Sequence, residues 1–257
     1  MNVSEKKVVI ITGGSSGMGK YMALKFAKEE YQVVITGRDL ERLASAKEEI
    51  EGNGGQVLTV QMDVRDPEHV ERMVKLTDEA FGRIDVLVNN AAGNFICPAE
   101  KLSVNGWKSV IDIVLNGTFY CSSAVGKYWM ERKHQGSMIN MVATYAWNAG
   151  AGVAHSAAAK AGVLSLTRTL AVEWGTKYGI RVNAIAPGPI ERTGGADKLM
   201  QSEEEARKIA ASVPLKRFGT PEEIAELAFF LSSEKAAYIN GECVTMDGGQ
   251  WLQPFPF

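Results

Sequence analysis

The chain has 257 residues but only 3 cysteines and 3 histidines, so it is poor in the side chains that build metal centres and disulfide frameworks. Cys97, Cys121 and Cys243 lie far apart and match no metal or redox spacing, which reads as buried thiols in a reducing compartment. His69, His134 and His155 form no ligand set, and His155, beside Ser156, is either a pocket-lining or a packing residue. Charge of one sign is missing too. The 28 Lys and Arg against 30 Asp and Glu leave a net charge of −2, and the basic residues are dispersed, which argues against a nucleic-acid surface. No apolar run approaches bilayer-spanning length, and the segment from Met1 to Lys7 carries no apolar signal region, so no membrane role and a cytoplasmic location are expected. There is no proline-rich linker, internal repeat or low-complexity tract.

What is present is apolar and glycine-rich: 46% hydrophobic residues and 26 glycines, enough for one α/β domain over residues 1–257 with a large core. Strand-like runs occur at 8–12, 33–36, 57–61, 84–89, 138–142, 181–186 and 242–246, with helical segments between them. Seven strands alternating with helices predict a doubly wound parallel sheet. The polar, glycine-containing stretch from Gly188 to about Ser202 reads as a mobile loop. Glu203, Glu204 and Glu205 read as the solvated first turn of a helix rather than a catalytic pair.

The run Val8 to Ile11 leads into Thr12-Gly-Gly-Ser-Ser-Gly-Met-Gly19 and then an apolar helical pattern. Strand, glycine loop and helix in that order suggest a pyrophosphate site: Gly13 for the turn, Gly17 for close backbone approach, Gly19 for helix packing, with the helix's first free N–H groups facing the anion. Ser15, Ser16 and Met18 complete the loop. After the second strand the chain reads Gly37-Arg38-Asp39, with no carboxylate at the strand end to engage a ribose diol. Arg38 is either a surface arginine or a planar cation suited to a 2′-phosphate, which would favour NADPH. Asp39 is expected to cap the next helix.

The spacing Gly-x-x-x-Gly-x-Gly resembles the dinucleotide fingerprint of the short-chain dehydrogenase/reductase superfamily, and the resemblance covers nearly the whole chain. It implies a single-domain Rossmann-type fold, with a lid over the substrate at about 188–212. It further implies an adenine contact at Asp63 and Val64, a sheet-stabilising turn by the cofactor at Asn89, Asn90, Ala91 and Gly93, and a backbone contact to the nicotinamide from Pro187, Gly188 and Ile190. Lys160 would hold the nicotinamide ribose.

The catalytic segment departs from the superfamily's usual Tyr-x-x-x-Lys. Ser156 stands four before Lys160, the upstream serine slot falls on Ala143, and the nearest tyrosine is Tyr145 at a strand end. This pattern is similar to that of the 2,4-dienoyl-CoA reductases. The similarity implies NADPH, an acyl-CoA substrate, a role in unsaturated fatty acid degradation, and a homotetramer paired through the helix from Ala154 to Trp174 and the one before it. Ala157, Ala161 and Gly162 would keep the surfaces of that helix small, towards the cofactor and towards another subunit. Asn116 would interrupt the preceding helix and bind water or substrate; the plainer reading is a satisfied core amide. Hydride addition at C5 would give a dienolate stabilised by Tyr145 and Asn116, protonated from water at C2 to a 3-enoyl-CoA, with Ser156 orienting cofactor or substrate. Tyr145 could equally be packing at a strand end, and Trp147 either lines an acyl pocket or covers the core. Two other readings stay open: a conventional carbonyl or alcohol oxidoreductase acting on a 3-oxoacyl or sugar substrate, and a non-catalytic dinucleotide-binding protein.

Overall fold

The computed structural model describes residues 6–193 and 202–252. Seven parallel strands form one sheet in the order β3-β2-β1-β4-β5-β6-β7: β1 Val8–Thr12, β2 Gln32–Gly37, β3 Gln56–Gln61, β4 Val86–Asn89, β5 Ser137–Met141, β6 Arg181–Pro187 and β7 Cys243–Met246. The expected doubly wound α/β fold is therefore present. Every residue of β1 is buried. Its side chains alternate between two cores, as the period-2 geometry of a strand requires.

Val9 and Ile11 point to a core shared with α1 (Gly17–Lys28), α2 (Leu40–Gly52) and α8 (Pro221–Ser232). Val8 and Ile10 point to a core shared with α3 (Pro67–Phe81), α5 (Gly117–Arg132) and α6 (Ala154–Tyr178). Each fully buried aliphatic side chain contributes about 1.5–3 kcal/mol. β1 pairs with β2 on one side and β4 on the other, Ile10 facing Val34 and Leu87. The chain reverses direction across the sheet at this point, and the C-terminal ends of β1 and β4 open onto a crevice suited to a ligand.

Local signals set the helix limits. Asp39 accepts a hydrogen bond from Arg42 N–H at the start of α2, as expected. Ser202 accepts from Glu205 N–H at the start of α7 (Glu203–Ser212), whose three glutamates fill the first turn. Thr220 and Glu223 form a reciprocal capping box on α8, with Pro221 at its first position. Residues 194–201 of the expected lid lie outside the described residues.

A buried polar chain ties the central strands to the helices that carry the site. Asn89 of β4 donates to Asn140 Oδ1 of β5 at 2.8 Å and to Ser122 Oγ of α5 at 3.0 Å. Asn140 in turn donates to Thr167 Oγ1 of α6 at 2.9 Å. Each link satisfies a polar group that would cost about 1–3 kcal/mol if left unpaired. The expected sheet-stabilising role of Asn89 thus extends to both flanking helices.

Candidate active site

Thr12, the last residue of β1, organises the crevice. Its hydroxyl accepts the N–H groups of Asn90 and Ala91, both at 3.0 Å, and so closes the β4 end onto the β1 end. The Asn90 amide donates back to the carbonyls of Thr12 at 3.0 Å and Gly13 at 3.2 Å. Gly13 and Gly17 adopt left-handed φ angles of 65° and 51°, where a side chain would be strained. Gly19 has no room for one: a Cβ there would meet the Gly13 carbonyl oxygen at 2.3 Å and the Asn90 amide at 2.5 Å.

The first turn of α1 follows at once and contains no acidic residue, and Ser16 at its N-cap makes no side-chain capping bond. Free N–H groups and the positive end of the helix dipole are therefore directed at the loop, an arrangement that fits the pyrophosphate of a dinucleotide. Met18 differs from its loop neighbours in packing its side chain against the core. At the end of β2, Gly37 lies beside Ser15 Oγ, 3.1 Å from where a Cβ would sit, and Arg38 is exposed next to it. Asp63 is held by Arg65 in an ion pair that keeps its carboxyl below the usual range, with the Arg38 charge adding to the effect. Val64 packs closely on Gly117 at the start of α5. Gly188 follows the end of β6 and abuts Asp247, while the Ile190 side chain is buried in the core, which leaves only its backbone to face the crevice.

The catalytic candidates converge on the end of β5. A short 3₁₀ turn, Thr144–Ala146, brings the Tyr145 hydroxyl to 3.1 Å from Ser156 Oγ in the first turn of α6. Four residues further, Lys160 lies on the same face and donates to the Met141 carbonyl. Burial pushes its ammonium down to about 8. The helical segment before α6 consists of α4 (Val104–Ile111), a π-helical turn, Asp112–Asn116, and then α5. The expected interruption at Asn116 is this turn, a feature frequent at functional sites. Asn116 donates to Asp112 Oδ1 at 2.9 Å within it.

Gly162 has a packing role within this chain: a Cβ there would meet Leu115 of the π turn at 2.9 Å. His155 is fully buried: its Nδ1 accepts Ser156 N–H at 2.8 Å, and its ring stands edge-on to Phe95 at 4.5 Å. Trp147 does not cover the core; it is 38% exposed and stands edge-on to Trp251 from the segment after β7.

Two site residues were absent from the sequence reading as ligands. Thr193 lies over the glycine loop, 3.9 Å from a Cβ built on Gly17, and Thr12 acts as the hub just described. Thr12 adjoins the loop motif and was within reach of local reasoning. Thr193 is brought over the loop only by the chain's return from β6. The three cysteines are unpaired; Cys121 is buried as expected, whereas Cys97 and Cys243 are only partly buried, because they lie in a loop and on the outermost strand. Among the described residues no His, Cys, Asp and Glu cluster could hold a metal and no helix is long and apolar enough to cross a membrane.

The profile of the family described as "Enoyl-(Acyl carrier protein) reductase" matches residues 13–250. A Bacillus subtilis protein named "Probable 2,4-dienoyl-CoA reductase [(2E)-enoyl-CoA-producing]" is 66% identical over 253 residues, covering 98% of this chain and 100% of its own length. A Danio rerio protein named "Peroxisomal 2,4-dienoyl-CoA reductase [(3E)-enoyl-CoA-producing]" is 41% identical over 247 residues, 96% of this chain and 82% of its own. A crystal structure described as a short chain dehydrogenase from Bacillus anthracis superposes with a TM-score of 0.91 at 67% identity, covering 98% of this chain and 99% of that one.

Proposed function

Since the chain belongs to the short-chain dehydrogenase/reductase family, an oxidoreductase family that uses a nicotinamide dinucleotide, we propose that it is an NADPH-dependent reductase of 2,4-dienoyl-CoA thioesters. It would act in the cytoplasm in the degradation of unsaturated fatty acids. The observation that carries this reading is the pairing of Tyr145 with Ser156 at 3.1 Å, with Lys160 one helical turn on. The phenol enters from the strand end, while a serine occupies the helix position that holds tyrosine in Tyr-x-x-x-Lys enzymes. A reductase of conjugated thioesters needs a donor at the thioester oxygen more than a proton donor at a carbonyl carbon's own oxygen. The relatives at 66% and 41% identity carry that activity in their names.

When bound, NADPH supplies a hydride. The residues of this chain do the rest. The glycine loop and the start of α1 hold the pyrophosphate, Arg38 with Ser15 receives the 2′-phosphate, and Asp63 and Val64 flank the adenine. Lys160, which donates to the Met141 carbonyl, would hold the ribose hydroxyls, and the backbone at Pro187, Gly188 and Ile190 would hold the nicotinamide end. On the substrate, reduction at C5 leaves negative charge spread over the dienolate to the thioester oxygen. Tyr145, oriented by Ser156, donates a hydrogen bond there, with Asn116 as second donor. A donor aimed at developing charge in a closed site contributes about 3–4 kcal/mol.

Protonation of the dienolate at C2 gives the 3-enoyl product and at C4 the 2-enoyl product. Water delivers its proton at C2, the carbon next to the thioester, and this reading gives 3-enoyl-CoA. The name of the 66% identical relative favours the 2-enoyl product, the second reading. Product analysis by chromatography against both standards separates them.

The test is oxidation of NADPH with a 2,4-dienoyl-CoA, with an acetoacetyl thioester and with no substrate. Turnover should occur with the dienoyl thioester alone, and Tyr145→Phe should lower it roughly a hundredfold while NADPH affinity stays nearly the same. Faster turnover of the acetoacetyl thioester would assign a conventional carbonyl reductase. Unreduced turnover in Tyr145→Phe would remove the tyrosine from the site.

A further inference from the structure

Beyond the reacting groups lies an aromatic pair that the mechanism does not use. Trp147 follows Tyr145 by two residues, and Trp251 belongs to the segment after β7. Their rings meet edge to face at 5.8 Å and 85°, yet each residue is 38% exposed. The pair is therefore held in place while offering apolar surface at the mouth of the site. Trp251 is fixed by its backbone: the buried Asp247 carboxylate accepts Trp251 N–H at 2.8 Å and Gly249 N–H at 2.9 Å. The turn between them needs left-handed φ angles of 63° at Gly248 and 86° at Gly249. Leu215, 64% exposed, packs beside Gly248 and extends the apolar surface.

We propose that Trp147 and Trp251 form the wall that grips the hydrocarbon chain of the acyl-CoA and makes turnover depend on chain length. This rests on the dienoyl-CoA reading above. With the thioester oxygen fixed at Tyr145, carbons beyond the diene run along the surface that adjoins that residue, and here that surface includes the exposed parts of two indoles packed edge to face. Indoles supply large apolar area with few rotatable bonds to immobilise. Each methylene carried out of water strengthens binding roughly fourfold, from about 0.8 kcal/mol per group. Asp247 acts as a positioning residue, since both of its oxygens are engaged by the backbone of the turn.

The experiment compares 2,4-hexadienoyl-CoA with 2,4-decadienoyl-CoA in the wild-type chain and in Trp147→Ala, Trp251→Ala and Trp251→Phe. In the wild type kcat/KM is higher for the longer substrate. In both alanine variants the ratio between the two substrates falls tenfold or more, carried by KM, and Trp251→Phe restores most of it. An unchanged ratio in folded alanine variants overturns the inference and leaves the dienoyl-CoA reading intact. So does an unchanged ratio combined with loss of the wild-type oligomeric state, which would make the pair a subunit contact. Absence of dienoyl-CoA turnover at either length in the wild type overturns both readings.

Discussion

Lys160 is charged where charge is disfavoured, and its replacement should stabilise the protein while abolishing its chemistry. The side chain is 7% exposed, and burial lowers its pKa from 10.5 to about 8. At ~1.4 kcal/mol per pH unit, a drop of that size corresponds to about 3 kcal/mol. The sign follows from the protonation states. Below pH 8 the amine is charged in both the folded and unfolded chain, and the folded state bears the whole cost. Between pH 8 and 10.5 the folded chain has released its proton and the unfolded chain has not, so wild-type stability rises with pH across that window. Lys160→Met keeps the length and apolar stem but removes the ammonium. It also removes the hydrogen bond to the Met141 carbonyl, which offsets about 1.5–3 kcal/mol. The expected net gain is about 1 kcal/mol at pH 7, read as a higher urea midpoint in the absence of nucleotide. The gain should shrink and then reverse as pH rises from 8 to 10. A variant less stable than wild type at pH 7, or a difference that is flat between pH 7 and 10, would refute the reasoning.

Three further outcomes can be measured. Arg38→Ala should weaken NADPH binding about tenfold or more and leave NADH nearly unaffected, because one charge-assisted phosphate contact is lost; equal dissociation constants for the two cofactors in the wild type would remove the 2′-phosphate assignment. Burial raises the pKa of Asp85, but bonds from His134, Arg83 and Val8 N–H outweigh it and bring the carboxyl down to about 2. Its contribution, about 2 kcal/mol, is complete above pH 4 and lost as pH falls towards 2, so Asp85→Asn should flatten the acid limb of the stability profile. Light scattering should report four chains, with the exposed face of α6, where Val172 is 70% exposed, covered in the assembly; a monomer at micromolar concentration would contradict this.

Legibility in the sequence followed the range of the forces involved. Strand β1, the glycine loop and α1 are contiguous, and their periodicities and turn chemistry act within a few residues, so Gly13, Gly17 and Gly19 were assigned from spacing alone. The cap at Asp39 and the acidic first turn at Glu203 to Glu205 were legible for the same reason. Asn116 stands out in the sequence as an amide within an apolar helical run, but that it interrupts the helix was implied only by the family resemblance.

What the sequence left ambiguous depends on partners distant along the chain. Gly162 could face a cofactor or another subunit, because small residues on a helix permit close approach of any neighbour. One neighbour that spacing did not reveal is Leu115, delivered by the π turn. Trp147 was compatible with core or pocket, and its contact with Trp251, a residue far along the chain, could not be read from local spacing. Asp247 closes that gap: in sequence it is the end of the last strand, but its two oxygens bind the N–H groups of residues two and four positions on and turn the chain back towards β5. A single carboxylate just after β7 thus fixes Trp251, two residues past the last glycine, against Trp147 beyond the end of β5, and this contact exists only once the sheet has placed β5, β6 and β7 side by side.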